Sequence, residues 1–352
     1  MDDLPADGPG TPPLSGMSLD AMRDFLVAMD EPPYRAKQVF QAVQQRGQLD
    51  PTDMTALPIA LRQRMAEQLT PALALIEEQA SDDGTTKFLF ELADGKRVET
   101  VLIPEGDRNT VCVSSQVGCP IRCVFCASGV EGLIRNLTTA EIAEQLLHVR
   151  ARLGERPSHV VLMGMGEPLL NLDALADAIR LWTNRDGMGF SPRRITVSTA
   201  GTPSKVDRLI ELELGVNLAI SLHAPDDETR ARLVPGSPKG RTADLVEAGT
   251  RFARKTGRDV TVEYVLMAGE NDQPQHAERL AQLVVGRHIH VNLIPLNPVS
   301  HQPDLQAPSG NACHRFVNIL RDRHVSVTLR TQRGEDIAAA CGQLAMERSL
   351  GE

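Results

Sequence analysis

Hydrophobic and polar positions alternate along this chain in three different rhythms. From Ser18 to about Thr70 apolar residues recur every three or four positions: Met22, Phe25, Leu26 and Met29, then Val39, Phe40 and Val43, then Leu61, Met65 and Leu69. That spacing lines up one face of a helix, so 16–80 is predicted as a small helical domain. Before it, residues 1–15 are rich in Pro, Gly and Asp without periodicity, which predicts a disordered tail. Over 81–108 the period shortens to two in KFLFEL and RVETVLI, separated by Ala93-Asp94-Gly95. This pattern predicts a β-hairpin.

From 109 to 345 short apolar runs alternate with amphipathic ones. TVCVSS, HVVLMG, RITVST, VNLAISL, DVTVEYVL and HVNLIPL read as strands, separated by stretches such as TAEIAEQLLHVRARL and QHAERLAQLVV. Such alternation predicts βα units on a parallel sheet, and six units favour a full or partial barrel over an open doubly wound sheet. Residues 346–352 read as a second tail.

Composition narrows the class. Of 352 residues, 41% are hydrophobic and 24% charged, ordinary values for a globular protein. No run approaches the about eighteen consecutive apolar residues of a membrane span. The start is acidic and proline-rich rather than basic then apolar. A cytoplasmic protein without a membrane is therefore expected. The net charge of -9 weighs against a broad nucleic-acid surface but leaves room for local ones, at Arg193 and Arg194, at Arg230 and Arg232, and along Arg251, Arg254, Lys255 and Arg258. Six cysteines are too sparse for a disulfide scaffold.

Half of those cysteines crowd into one loop. Cys119, Cys123 and Cys126 form C-x-x-x-C-x-x-C just after the first strand of the αβ region. Loops after strands build the catalytic face of an αβ barrel. Three close thiolates suit a 4Fe-4S cluster with one iron left open to a small molecule. A structural zinc site would want a fourth ligand, and no partner pair lies nearby in sequence.

With Phe125 before its third cysteine, this loop resembles the radical S-adenosylmethionine superfamily signature, and Gly164-Met165-Gly166-Glu167-Pro168 at the next strand end is similar to that superfamily's GGEP motif. The finer resemblance, from Ser18 to Leu344, is to the RlmN/Cfr family of RNA methyltransferases. It is carried by CVSSQVGC, RNLTTAEI, GMGEPLLN, SLHAP, NLIPLNP and RGEDIAAACGQL. The resemblance implies an α/β fold, a radical S-adenosylmethionine partial (β/α)6 barrel preceded by the helical accessory domain, which would serve RNA binding, and by the hairpin. It also implies one 4Fe-4S cluster on Cys119, Cys123 and Cys126, and S-adenosylmethionine contacts at Gly166, Glu167, Ser198, Ser221, Leu222, His223 and Asn297.

The implied reaction is methylation of carbon 2 of adenine in 23S ribosomal RNA at adenosine 2503 and, as in bacterial RlmN enzymes, in tRNA at adenosine 37. The alternative is carbon 8 of the same ribosomal adenosine, as in Cfr relatives. Carbon 2 is not nucleophilic, so ordinary methyl displacement fails there. In the family, a C-terminal cysteine matched by Cys341 accepts a methyl group from one S-adenosylmethionine, and a deoxyadenosyl radical from a second activates that methyl to join the base. Cys112 matches the cysteine that resolves the adduct through a transient disulfide, and Glu99 the proposed general base. An outside one-electron reductant such as flavodoxin or ferredoxin is implied.

Judged on residues alone, Cys112 reads as a core thiol, Glu99 as an outward-facing strand carboxylate and His223 as a rim or core histidine. Cys313 matches no motif and reads as packing. For backbone contacts with RNA the candidates are Arg251 to Arg258, with Arg35 and Lys37 in the helical domain. A noncatalytic RNA-binding protein is the rival from another class; two isolated thiols matching a methyl carrier and its resolver weigh against it.

Overall fold

A computed structural model describes residues 13–345 apart from 238, 239, 259 and 332. Residues 1–12 of the expected first tail and the expected tail 346–352 lie outside the described residues.

The first helices form where the apolar periodicity placed them, as α1 (Leu19–Ala28), α2 (Arg35–Arg46) and α3 (Ile59–Gln68). The Ser18 hydroxyl accepts from Ala21 N–H and caps α1, while Gly47, at φ 69°, closes α2 in the left-handed conformation that costs glycine least. The folded body begins earlier than the sequence suggests. Leu14 and Ser15, assigned to the tail, are buried in a short 3-10 turn, and Ser15 Oγ donates to Glu144 Oε1 at 2.7 Å.

A ten-stranded sheet follows. Its antiparallel edge is β1 (Leu73–Ala80), β2 (Thr86–Leu92), β3 (Arg97–Glu105) and β4 (Arg108–Cys112). The hairpin of β2 and β3 turns at Gly95, at φ 76°. β1 lies in the stretch that periodicity grouped with the helices: IEEQA has no apolar alternation of its own, and only pairing with β2 makes it a strand. The hairpin is thus no separate extension but the continuation of the main sheet.

A small ribbon, β5 (Gln116–Gly118) with β6 (Leu133–Asn136), frames the cysteine loop. The chain then runs through α4 (Thr139–Leu153), β7 (His159–Leu162), α5 (Leu172–Thr183), β8 (Ile195–Thr199), α6 (Pro203–Glu211) and β9 (Asn217–Ser221). It continues as α7 (Asp227–Leu233), α8 (Thr242–Thr256), β10 (Val260–Leu266), α9 (Pro274–Val284), β11 (Ile289–Pro295), α10 (Gly310–Asp322) and β12 (Ser326–Leu329). From β4 to β12 the sheet is parallel, and its strands stand in chain order, the order of a singly wound barrel. Among the described residues no pairing joins β12 back to β1, so the barrel is open. The run SVTL escaped the strand pattern, and it adds a seventh parallel strand to the six expected.

Apolar residues of the strands and the inward helix faces make one continuous core, with Trp182, Tyr264, Phe88 and Phe90 fully buried. α4 is fixed at its start by a capping box in which Thr138 and Glu141 bond each other's backbone N–H. Among the described residues no helix is long and apolar enough to cross a membrane.

Candidate active site

The C-terminal ends of the parallel strands converge on one half-open cleft, the end of a parallel αβ barrel where ligands bind. Cys119, Cys123 and Cys126 line one wall. Their loop is held in shape by close backbone approach. Gly118 sits at φ 75°, and a Cβ there would lie 2.0 Å from Gly132 O, so only glycine fits. Cys119 N–H donates to Gly132 O, and Val124 N–H to Leu233 O at the end of α7.

Burial pushes all three thiols up, Cys119 to about 12. Free thiols therefore sit protonated in a pocket that suits their ionised form only when a positive group joins them. Arg230 lies beneath Cys123 and bonds neutral acceptors, Leu222 O, Ala200 O and Ser237 Oγ, so its charge stays available to the loop. Among the described residues no three Cys, His, Asp or Glu side chains gather round a single-ion position. A zinc site would require that convergence. A cubane would take one thiolate per iron from this loop, and the Arg230 guanidinium beside Cys123 would offset part of its negative charge.

The GMGEP segment forms the next wall. Gly164 N–H donates to Val113 O, Met165 N–H to Ser114 Oγ, and Ser115 N–H to Met165 O. A Cβ at Gly164 would meet Ser114 Oγ at 2.7 Å, and one at Gly166, at φ 104°, would meet Gln116 Cβ at 2.6 Å. Both glycines are there to let two backbones touch. Glu167 is buried with its carboxylate committed, accepting from Leu169 N–H, Thr199 Oγ1 and Ala200 N–H at 2.7–3.1 Å.

Ser198 Oγ and Ser221 Oγ lie 3.1 Å apart at the ends of β8 and β9, and both face the cleft. His223 also lines it, at φ 58°, with Nδ1 accepting from Val265 N–H and the ring edge-on to Phe125. Burial first and Arg230 second hold that ring neutral, its pKa pushed down to about 3. Leu222 is fully buried and does not line the cleft; it packs into the core beside the two residues that do.

The C-terminal segment closes the site. Asn297 Nδ2 donates to Cys341 O at 2.8 Å, Ala127 N–H to Gly342 O at 2.7 Å, and Ser128 Oγ to Leu344 O at 2.7 Å. These bonds lay Cys341 against the cysteine loop. Its side chain is open to solvent within the cleft, while the surrounding walls still raise its thiol above the usual range. Upstream, Arg333 Nη1 reaches Pro104 O and Gly334 N–H reaches Asp83 Oδ2, so the segment rests on the antiparallel edge of the sheet.

Cys112, at the end of β4, is buried and free. Burial and the neighbouring Cys341 push it up to about 12. Glu99 shares its sheet face through the Val101–Cys112 register, but not the cleft: Oε1 lies 3.0 Å from Lys87 Nζ, and Oε2 accepts from Ala345 N–H.

Two comparisons decide the family. Residues 13–70 match the ribosomal RNA large subunit methyltransferase N-terminal domain, and residues 113–281 the radical SAM superfamily. The chain is 46% identical over 341 residues, 95% of its length and 91% of the relative's, to the "Probable dual-specificity RNA methyltransferase RlmN" of Symbiobacterium thermophilum. The chain belongs to the RlmN family of radical S-adenosylmethionine RNA methyltransferases. A second RlmN relative, from Rhodopirellula baltica, is 44% identical over 98% of this chain and 94% of its own. Among solved structures, a radical SAM methyltransferase from Sphaerobacter thermophilus superposes with a TM-score of 0.90, at 45% identity over 95% of this chain and 99% of that one. Membership in a radical SAM family implies a 4Fe-4S cluster and S-adenosylmethionine, and the RlmN cysteine loop fits such a cluster by the geometry above.

Two readings of the sequence do not survive the placement. Arg230 is a buried residue under the cysteine loop, not part of a surface for RNA. Arg251, Arg254 and Lys255 lie on the last turns of α8 and Arg258 in the link to β10, so they sit at the opposite end of the barrel from the cleft; Arg251 is paired with Asp207 at 2.9 Å. Lys37 likewise pairs with Asp186, in the turn that feeds the start of β8. Conversely, Glu263 and Arg330 line the cleft and were not singled out. The available signal was an acidic residue in the middle of the apolar run DVTVEYVL.

Proposed function

We propose that this RlmN-family enzyme methylates carbon 2 of adenine, in 23S ribosomal RNA at adenosine 2503 and in tRNA at adenosine 37, through a methyl group carried on Cys341. The observation that carries the reading is the docking of Cys341 by Asn297 and Ala127 onto the cysteine loop, with the free thiol of Cys112 next to it. A binding module has no use for that arrangement. Dual specificity in the relatives' names supports two RNA substrates.

In this reading Cys119, Cys123 and Cys126 would hold a 4Fe-4S cluster, which with S-adenosylmethionine and one electron from an outside reductant such as flavodoxin or ferredoxin would supply a carbon-centred radical. Gly166, Glu167, Ser198, Ser221, Leu222, His223 and Asn297 form the S-adenosylmethionine site. Leu222 contributes through its backbone, since its side chain is in the core. Neutral His223, its Nδ1 already accepting, carries the ring proton on Nε2 and is a donor there.

Cys341 acts first, as the nucleophile that takes a methyl group, so two S-adenosylmethionines are consumed per turnover. Its activated carbon then joins the base, which must leave its stack to reach the cleft. Glu99 accepts the ring proton, which requires the Ala345 contact to open and free Oε2. Cys112 finally gives its proton to the carrier carbon and attacks the sulfur of Cys341, while the unpaired electron of the adduct would return to the iron–sulfur centre that supplied one at the start; the methylated base is released and a disulfide joins the two cysteines. Thiols that must be reset after every turnover place the reaction in a reducing compartment, the cytoplasm.

Cys341→Ala is expected to abolish methyl transfer to protein and RNA. Cys112→Ala is expected to co-purify with covalently bound RNA that survives denaturant and disappears on nuclease digestion. Normal turnover by Cys112→Ala without bound RNA would remove Cys112 from the mechanism. Mass spectrometry of digested RNA separates carbon 2 from carbon 8, the Cfr-type product.

A further inference from the structure

Glu263 has no part in the reaction as described so far, yet it is a buried carboxylate in the cleft wall, 5% exposed. The strand registers set it beside Ser221 of β9 and Asn292 of β11. Asn292 Nδ2 donates to its Oε1 at 3.1 Å, whereas Oε2 is buried and has no hydrogen-bond partner among the described residues. A buried carboxylate oxygen without a donor is costly to keep, so its retention points to a partner that arrives during the reaction. The other carboxylates near the site are committed: Glu167 to Thr199, Ala200 and Leu169, and Glu99 to Lys87 and Ala345 outside the cleft.

The charged and titratable groups facing Glu263 are few. Arg330 enters the same wall just beyond β12, held by its N–H to Leu293 O, and Cys341 comes from the C-terminal segment. From β9, His223 adds a neutral ring. Burial holds the Glu263 carboxyl above the usual carboxylate range, which makes it the stronger proton acceptor, and Cys341 lines the same cleft. A methyl carrier must attack as a thiolate.

We propose that Glu263 is a further catalytic residue, accepting on Oε2 the proton of the Cys341 thiol as that sulfur attacks the methyl group of S-adenosylmethionine. The S–H electron pair becomes the new S–C bond, the sulfonium–methyl bond breaks with its pair to leave a neutral thioether, and the proton ends on the carboxyl; nothing is oxidised or reduced. The carboxylate's negative charge passes through the sulfur and cancels the positive charge of the sulfonium, in the field of Arg330. This step rests on Cys341 being the methyl carrier.

The test uses cluster-loaded enzyme without S-adenosylmethionine. Cys341 is labelled by the neutral reagent iodoacetamide between pH 5.5 and pH 10, and its rate is read by peptide mass spectrometry. In the wild type the rate is expected to level off near neutral pH. In Glu263→Gln it falls about a hundredfold at pH 7 and climbs with hydroxide toward the wild-type rate at pH 10, while Glu263→Asp recovers part of the loss. A Gln-variant rate at pH 7 equal to or above the wild type, as removal of a negative charge alone would produce, overturns the proposal. If that variant does not fold, the wild-type profile decides: a rate still rising tenfold per pH unit through pH 7 overturns it. Unaltered labelling with S-adenosylmethionine binding weakened about tenfold would make Glu263 a ligand contact instead, and also overturns it. Absence of any methyl group on wild-type Cys341 would sink the carrier reading and this step with it; a methylated wild type beside an unaffected Gln variant sinks this step alone.

Discussion

Lys87 Nζ lies 3.0 Å from Glu99 Oε1, and both side chains are all but fully buried between the antiparallel strands and the C-terminal segment. The diagonal across β2 and β3 makes the pair: Lys87 stands opposite Val101 and Glu99 opposite Leu89, so the two side chains share a face one step apart. Removing one member of a buried pair takes from the other its opposite charge while its burial remains. Lys87→Met is therefore expected to lose about 3–5 kcal/mol of unfolding free energy in denaturant titrations. A loss below 1 kcal/mol would mean that water reaches Glu99 and that the pair is not structural.

Asn297 ties the segment that leaves β11 to Cys341. Asn297→Ala removes the bond to Cys341 O, worth about 1 kcal/mol, or roughly a fivefold shift in docking of the segment. Amide hydrogen exchange over 340–345 should quicken by that factor while exchange in β10 and β11 stays as it was. Equal protection in both proteins would show that Ala127 and Ser128 hold the segment unaided.

Gly118→Ala should separate cluster loading from folding. A methyl group 2.0 Å from Gly132 O cannot be accommodated without moving the ribbon of β5 and β6, and the positive φ adds strain. The expected outcome is a folded protein whose iron and sulfide content after anaerobic reconstitution is well below half of the wild-type value. Full loading would show that the loop tolerates displacement of its first anchor.

Glu144 staples three parts of the chain: it accepts from Ser15 Oγ and from the N–H groups of Ala72 and Leu73. Burial raises its carboxyl from 4.5 to about 7. A raised folded-state pKa means that the folded protein holds a proton the unfolded chain has released, so this contribution to stability is present below about 4.5 and is lost as pH rises through about 7. Between pH 5 and pH 8 the wild type should therefore lose about 2–3 kcal/mol relative to Glu144→Gln. Parallel denaturation curves at both pH values measure it, and a difference that is constant with pH would contradict the assignment.

Much of this architecture is written locally. Three-and-four spacing around Phe40 and Met65 makes helices; alternation in KFLFEL and RVETVLI around a Gly95 turn makes a hairpin; the repeat of apolar strand and amphipathic helix makes a parallel αβ sheet. In each case the relevant interaction spans only a few residues, so the linear pattern carries it. The cysteine triplet is legible for the same reason, because one loop supplies all three thiols.

What the sequence left undecided depends on contacts between distant residues. IEEQA becomes β1 only by pairing with β2, and SVTL becomes β12 only by pairing with β11. Arg230 looks like a surface cation until the fold buries it under Cys123, and Arg251 to Arg258 look available for RNA until the winding of α8 sets them at the far end of the barrel. Cys341 and Cys112 stand 229 positions apart in the numbering and meet because hydrogen bonds from Asn297, Ala127 and Ser128 dock the last segment over the cleft. Local sequence determines which face of an element is apolar. Which faces, charges and thiols end up together is decided by packing, since burial and hydrogen-bond satisfaction are properties of the assembled fold.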